Sequence, residues 1–550
     1  MATVDRIIKV MLIQPPIQDF YDTDIRLQPL GLCMLKGAVK KHLPYVEVLV
    51  RDYHHGHGRR TLSLPRELSY LKNYYAHPDT SPYCAFHHYY HFGAPFDVIA
   101  EHVVQEGPDL VGISALFTPY HREALTLARE IKNRISVPII MGGSHVSAVP
   151  ETMLSRPEVD FVIRGEGERP LVKFLKAFGQ GWSLDGVPNL GYKEGGRMIL
   201  NPTKPNYSMD DLPLPDFTDL PPGRYLHEKS PNCFVTTSRG CPHQCTFCSV
   251  HTTFGKGYRA RDPEAVLSEL ETRYCEGYRV FDFEDDNLSF DRNRFRTLLE
   301  GIKEAFAGKD VRFFAMNGLS YLSLDRELLG EMRAVGFTHL NLSLVSCEAS
   351  TLSDLNRPHR LGRFLEVIDA AASLGFHIVS YQILGLPMET RDQMVKTMAL
   401  LTRLPVRIGA SIFYLTPGSV LSTDFPPMTE LDMFLARSTA MAMETLAFTR
   451  DDLYTLFVTA RIINFLKSIP MPDQAFSFRE ALNFANNGTM RDRLGAGLLE
   501  RLMEERRLHA ATRGGLKPLV RFNPNLFLEV LDQAGEIRTL SGATVFTRKR

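Results

Sequence analysis

Cys241-Pro242-His243-Gln244-Cys245-Thr246-Phe247-Cys248 puts three cysteines on one short stretch, just after the apolar run Cys233-Phe234-Val235-Thr236-Thr237. Thiolates are soft ligands. Three on a single loop can hold three irons of a four-iron cluster and leave the fourth iron open to a ligand that is not protein. The competing reading is a structural zinc loop. Such loops pair two ligand sets at C-x(2–4)-C spacing, and no second set occurs: Cys33, Cys84, Cys233, Cys275 and Cys347 each stand alone. The spacing favours the cluster.

Downstream of this loop the chain alternates strand and helix. Val280-Phe281-Asp282-Phe283 runs into the acidic turn Glu284-Asp285-Asp286-Asn287 and a helix over 292–306. Val311 to Asn317, His339 to Leu344, Ile378 to Ile383 and Arg407 to Phe413 read as further strands, with helices over 325–334 and 364–374. With the strand before the cysteines this makes an open (β/α)6 partial barrel over 228–425, whose chemistry belongs at the carboxyl ends of its strands.

Upstream, Ile7 to Ile13, Val46 to Val50, Asp109 to Ser114, Val137 to Met141 and Val159 to Ile163 read as buried parallel strands, with helices from Cys33 to Lys41 and Tyr120 to Lys132. The expectation is an α/β, Rossmann-like domain over 1–175, with glycine turns at strand ends where ligands bind. Residues 59–96 interrupt it with prolines, aromatics and His87, His88 and His91. They read either as a functional insertion capping the ligand or lining the substrate's way in, or as a packed surface insertion. Residues 176–227, with a hairpin signal at 190–197, read as a linker. Residues 426–550 read as a mainly helical domain closing over substrate, with helices over 431–448, 453–467, 478–482 and 494–505. Leu526 to Leu531 and Gly535 to Leu540 resemble a terminal hairpin.

At 550 residues, two or three domains are expected. Sixty-three basic and 63 acidic residues cancel, which gives no electrostatic case for nucleic acid. Eight cysteines are too few for a disulfide scaffold. No leader and no membrane-length apolar run is visible, so a cytoplasmic place is expected.

The CxxxCxxC loop after a strand resembles the signature of the radical S-adenosylmethionine (SAM) superfamily. Its surroundings resemble the cobalamin (B12)-binding-domain branch, which includes class B methyltransferase-like proteins and anaerobic magnesium-protoporphyrin monomethyl ester cyclases. The likeness spans residues 8–425. It implies a [4Fe-4S] cluster held by Cys241, Cys245 and Cys248, whose open iron takes SAM. Reductive cleavage of SAM then gives a 5'-deoxyadenosyl radical that removes a substrate hydrogen. Pro15-Pro16, Pro29-Leu30-Gly31, Gly112-Ile113-Ser114, Gly142-Gly143-Ser144-His145 and Gly165-Glu166-Gly167-Glu168 resemble the family's cobalamin-binding pattern. On that likeness Gly142 and Gly143 admit the corrinoid's nucleotide tail and Ser114 donates to it. The competing reading is that these glycines only make tight turns. Asp285 and Asp286 resemble the acidic loop beside the SAM amino group, although consecutive acids also suit a helix N-terminus. Arg259 and Arg261 are expected to bind the SAM carboxylate or to position the loop, and Gly385-Leu386-Pro387 to flank the adenine.

Two departures carry meaning. After the first strand the cobalt-ligating Asp-x-His-x-x-Gly of classical cobalamin domains is replaced by Gln14-Pro15-Pro16-Ile17-Gln18-Asp19, as in many radical SAM relatives, and Asp52-Tyr53-His54-His55-Gly56-His57-Gly58 echoes it out of place. Cobalamin is therefore expected base-off, with no protein histidine on cobalt. At the fourth strand, where relatives carry Gly-x-Glu-Ser-Gly, this chain has Ser343-Leu344-Val345-Ser346-Cys347. The glutamate contact is lost, Ser346 keeps a donor, and Cys347 reads as a small buried residue rather than a ligand. The expected function is a cobalamin-dependent radical SAM methyltransferase acting on an unactivated carbon, or in rarer relatives phosphorus, of a small molecule. The alternatives are a non-methylating relative catalysing cyclisation, oxidation or rearrangement, and a cobalamin or SAM sensor. The expected partners are a small-molecule substrate and an electron donor such as flavodoxin or ferredoxin, with the chain a monomer.

Overall fold

The apolar strand β1 (Ile8–Gln14) lies inside its sheet, covered on both faces, which is why its hydrophobic run is unbroken. It pairs in parallel with β2 (Val46–Asp52) and β3 (Leu110–Ser114), and β4 (Ile139–Gly142) and β5 (Phe161–Ile163) extend the sheet in parallel. An antiparallel hairpin, β6 (Leu190–Glu194) and β7 (Arg197–Leu200), completes the order β7-β6-β5-β4-β3-β1-β2. Its turn uses Gly195 and Gly196, both at positive φ. The segment expected to be linker thus begins by closing the first sheet. This computed structural model describes residues 7–21, 28–204 and 208–547; Met1 to Arg6, read for a leader, lie outside them.

Helices α1 (Leu30–His42), α2 (His121–Lys132) and α3 (Glu168–Gln180) follow strands β1, β3 and β5. The insertion at 59–96 forms a small sheet instead, Arg59–Leu62 and Ile17–Asp19 pairing with Tyr89–Phe92. Its tyrosines reach the C-terminal region: the hydroxyls of Tyr70 and Tyr75 donate to the carbonyls of Ala440 and Thr439 (2.7 and 2.8 Å), and that of Tyr74 to Asp451 (2.6 Å). The insertion is an interdomain clamp.

The second sheet is in two halves, β8 (Ser230–Val235), β9 (Val280–Phe283) and β10 (Arg312–Phe314), then β11 (His339–Val345), β12 (His377–Leu384) and β13 (Arg407–Ile412), all parallel. Bridges Phe313↔Phe337 and Leu319↔Leu342 join them. Stacked rings of Phe281, Phe283, Phe313 and Phe337 fill the join at centroid distances of 5.7–6.1 Å. This is the expected six-stranded partial barrel, with α4 (Pro263–Cys275), α5 (Arg292–Ala305), α6 (Arg326–Ala334), α7 (Leu361–Ser373) and α8 (Arg391–Thr402) between strands.

The C-terminal region is mostly helical, built on α9 (Arg450–Ser468), α10 (Phe478–Asn486), α11 (Met490–Glu505) and α12 (Pro524–Ala534). Buried Lys467, near the end of α9, donates to the carbonyls of Leu401, Leu404 and Val406 at 2.6–2.9 Å, satisfying the C-terminus of α8. Two expectations fail here. The helix expected over 431–448 stops at Leu435, because Arg437 turns inward to Asp19 (3.2 Å) and Thr439 donates to the same carboxylate (2.7 Å). The segment expected as a hairpin strand is α12, capped by Asn523 with Pro524 in its first turn and burying Leu526, Phe527, Val530 and Leu531 at helical spacing. No helix among the described residues is long and apolar enough to cross a membrane.

Candidate active site

The carboxyl ends of the two sheets face one cavity of about 830 Å³. From the first domain it is lined by Leu30, Gly31, Ser114, Gly142, Gly143, Ser144, His145, Gly165 and Glu166. From the barrel come Phe234, Thr236, Glu284, Asp286, Asn317 and Tyr414, and from the C-terminal region Arg437 and Ser438. Nine of the residues expected from the first domain are thus brought together on one wall, while Pro15 and Pro16 are not among them.

The cavity fits a cofactor with a flat tail. It runs below the strand ends, between mid-strand Leu12, Gly112 and Ile140 and helix residues Met34, Leu35 and Leu171. Gly31 faces open space, and a Cβ on Gly142 meets only the Ile163 carbonyl, at 3.7 Å. Gly143 is different: at φ +120 its Cβ would stand 2.6 Å from the Ala115 carbonyl oxygen, so glycine there is a backbone requirement. Leu116, Phe117 and Tyr414 are 40%, 42% and 38% exposed and all line the cavity, an apolar wall suited to a macrocycle or an apolar substrate.

Histidines 54, 55 and 57 stand elsewhere: His55 Nε2 lies 2.9 Å from the Arg224 carbonyl and His57 Nε2 3.2 Å from that of Asp52. The histidine on the cavity wall is His145, with Nδ1 3.3 Å from Thr118 Oγ1. Burial and neighbouring His121 push its pKa down to about 3, so it is neutral.

Several residues expected to touch cofactor do structural work. Pro15 and Pro16 do not line the cavity; Pro16 packs toward Gly93. Glu166 accepts from Arg239 (2.6 Å) and Arg259 (2.8 Å), and Glu168 also from Arg239 (2.5 Å). This buried network straps the glycine turn after β5 to the residue two before Cys241. Arg261 pairs with Glu269 and donates to the Thr236 carbonyl. Asp285 is buried and accepts from the Thr237 N–H (3.1 Å), the Thr237 hydroxyl (2.8 Å) and the Ser238 hydroxyl. Asp286 accepts from the Gly240 N–H (2.8 Å), and burial lifts it to about 6. The two aspartates thus hold the chain entering the cysteine loop, and of the pair only Asp286 reaches the cavity.

The residue missed by sequence reasoning is Glu284, one position earlier. It lines the cavity, and burial followed by the charge of Asp282 lifts it to about 8, with an Asn317 hydrogen bond opposing. Its position at the carboxyl end of β9 was the available signal. Arg437 carried no signal, since its role depends on a contact across more than 400 residues.

The cysteines are not in the cavity lining, but Arg239 and Ser249, on either side of their loop, are. Cys241 Sγ accepts from Asn287 Nδ2 (3.5 Å) and Cys245 Sγ from Arg357 (3.8 Å). Burial raises the Cys241 thiol and pushes Cys248 up to about 11; bound iron is what draws off such protons. Among the described residues no three His, Cys, Asp or Glu groups converge on a single metal ion. A cuboidal cluster takes one thiolate per iron, which three cysteines on one loop provide. Phe247 packs against a buried cluster that includes Val345, Leu386 and Phe413, so the fourth-strand and late-strand motifs share a core with the loop. Val345 has φ +73, a left-handed conformation costly for a β-branched residue. Ser346 donates to Glu389 (2.9 Å), while Gly385, at φ +84, fits against Leu453. Pro387 closes that turn, outside the cavity lining.

Facing α/β sheets, a corrin-sized cavity and a three-cysteine loop define a cobalamin-binding protein with a radical SAM barrel. The comparisons agree. The Radical SAM superfamily profile matches residues 235–401 and the B12 binding domain profile residues 85–175. "Uncharacterized methyltransferase PH0819" of Pyrococcus horikoshii is 30% identical over 315 residues, 56% of this chain and 68% of that one. The anaerobic magnesium-protoporphyrin IX monomethyl ester cyclase of Cereibacter sphaeroides is 26% identical over 54% of this chain, which spans half of that protein's length. In fold, the cobalamin-dependent S-adenosylmethionine radical enzyme OxsB superposes over 91% of this chain and 73% of its own (TM-score 0.61, 14% identity). The radical S-adenosylmethionine methyltransferase TsrM of Kitasatospora setae does so over 76% and 77% (0.57, 16%). The chain belongs to the radical SAM superfamily, in the branch that carries a cobalamin-binding domain, and is an enzyme of that class.

Proposed function

We propose that the enzyme performs a non-methylating radical conversion, a ring closure or oxidation that releases a proton from a small, mainly apolar substrate held in the shared cavity. When bound, the cluster with SAM supplies a hydrogen-abstracting radical and cobalamin a cobalt centre. Glu284 carries the reading. A methyl group delivered to a carbon radical needs no base on the substrate side, whereas conversions that release a proton do. Burial lifts the Glu284 carboxyl to about 8, so at neutral pH it mostly holds its proton, and a cationic sulfonium nearby would lower it into the basic form that accepts one. Asn317 orients it. Arg437 is engaged by Asp19, and Arg239 by Glu166 and Glu168, so the cavity's described arginines offer no free anchor to an anionic substrate. Leu116, Phe117 and Tyr414 supply apolar contact.

Methyl transfer is the second reading, favoured by the sequence likeness to the methyltransferase PH0819. An electron donor of the flavodoxin or ferredoxin type belongs to either. Turnover with methyl-labelled SAM decides: an unlabelled product of hydrogen-depleted mass, without S-adenosylhomocysteine, is expected. A labelled product heavier by one methyl group overturns the first reading in favour of the second.

A further inference from the structure

Three consecutive residues in the connection between β11 and α7 grip three consecutive residues of the cysteine loop. The carbonyl of Leu355 accepts from the Thr246 N–H (2.9 Å), Asn356 Nδ2 donates to the Gln244 carbonyl (3.0 Å), and Arg357 donates to Cys245 Sγ (3.8 Å). Arg357 also donates to the Ser343 carbonyl (2.7 Å), at the irregularity in β11 before Val345. Asn356 adopts φ +49, a left-handed conformation that asparagine tolerates better than most residues. The grip is thus built on a turn that departs from ordinary backbone to bring its side chain onto the loop.

The charge in this clasp is unusual. Arg357 is half-buried, its Nε has no partner, and among the described residues no carboxylate lies within ion-pair distance of it. By contrast Arg239, Arg259, Arg261 and Arg437 each have one. Among the described residues the other side-chain donor to a cysteine of the loop, Asn287, is neutral. A guanidinium placed on a ligand sulfur, with no acid of its own, needs a negative group beside it. A cluster bound through thiolates is such a group, and its potential depends on net charge and on hydrogen bonds to its sulfurs.

We infer that Leu355-Asn356-Arg357 is a clasp that fixes the cluster loop, and that Arg357 is the counter-charge setting the cluster's reduction potential. This rests on the cluster reading of the three cysteines. Arg357 is a positioning residue: it acts through Cys245. A nearby positive charge favours the added electron, so its removal makes the cluster harder to reduce.

The test uses the full chain reconstituted anaerobically with iron and sulfide, and follows the cluster by potentiometric titration with electron paramagnetic resonance. Arg357→Gln is expected to keep its iron and to lower the reduced-to-oxidised ratio about tenfold at the parent's midpoint, a shift of about −59 mV for one electron. Arg357→Lys, which keeps the charge, is expected to titrate much closer to the parent. Asn356→Gly, which relieves the backbone but drops the side-chain bond, should broaden the signal without a comparable shift. A parent-like potential in Arg357→Gln overturns the inference, and so does a Lys variant displaced as far as the Gln variant. If Arg357→Gln fails to hold iron, the Lys variant alone decides. A parent chain that assembles no four-iron cluster overturns the cluster reading itself, an outcome distinct from an unshifted variant.

Discussion

Replacing Gly31 with leucine separates a cofactor wall from the fold that carries it. Gly31 is the second residue of α1, lines the cavity, and has nothing within 4 Å of where a Cβ would stand. Its backbone is not left-handed, so a side chain brings no strain. Leucine improves helix propensity by ~0.5–1 kcal/mol, so the melting temperature should hold or rise slightly. A side chain projecting where the corrin packs should cost what overpacking costs a core, ~1–3 kcal/mol, or roughly 5- to 150-fold in Kd. The assay is an absorbance titration of the purified chain with hydroxocobalamin, beside a thermal melt. Weakened binding at undiminished stability is the expected pair. Parent-like affinity in a folded Gly31→Leu chain would refute the placement of cobalamin against the start of α1. Gly143 cannot serve this purpose, because its Cβ collides with the Ala115 carbonyl before any ligand is involved.

Two further outcomes follow from the same geometry. Electron paramagnetic resonance of the bound Co(II) cobalamin should show no nitrogen splitting from a lower axial ligand, since His54, His55 and His57 are held away from the cavity. A splitting that disappears in His145→Ala would place that neutral histidine on cobalt and overturn the base-off, ligand-free expectation. Glu389 is fully buried, with one carboxyl oxygen unpartnered, and burial lifts it from 4.5 to about 8. The folded chain therefore keeps a proton that the unfolded chain releases, and this group's contribution to stability falls as pH rises from 4.5 toward 8. Glu389→Gln should melt close to the parent at pH 5 and be more stable at pH 8, by on the order of 4 kcal/mol; identical pH slopes would contradict this.

What the sequence made legible was periodic or locally spaced. Parallel strands buried on both faces show as unbroken apolar runs, so β1, β3 and β4 could be found without partners. The cysteine loop declared itself by spacing alone. The misreadings arose where local pattern and long-range contact disagree. Leu526 to Leu531 is apolar enough for a strand, and its helix depends on the Asn523-Pro524 start. The 431–448 stretch has helical composition, but Asp19 draws Arg437 and Thr439 out of register. Asp285 and Glu284 show the same limit at the site: adjacent acids just past one strand end take different roles, which composition alone does not distinguish. One anchors Thr237 and Ser238, and the other faces the cavity.

Some residues that resemble cofactor contacts also act as struts between the domains. Two sheets whose carboxyl ends face each other must both bind ligand there and hold each other in place. Glycines meet the first demand, since they leave room, and Gly31 and Gly142 do so. The second falls to charged residues in the same turns: Glu166 and Glu168 on one sheet hold Arg239 on the other, just before the cysteine loop. Buried with both acids satisfied, this triad is costly to break from one side, ~3–5 kcal/mol. The third wall is closed the same way, Asp19 holding Arg437, and Arg122 and His121 holding Glu430. The cobalamin slot and the cluster loop are thus positioned by ion pairs spanning the domain boundaries.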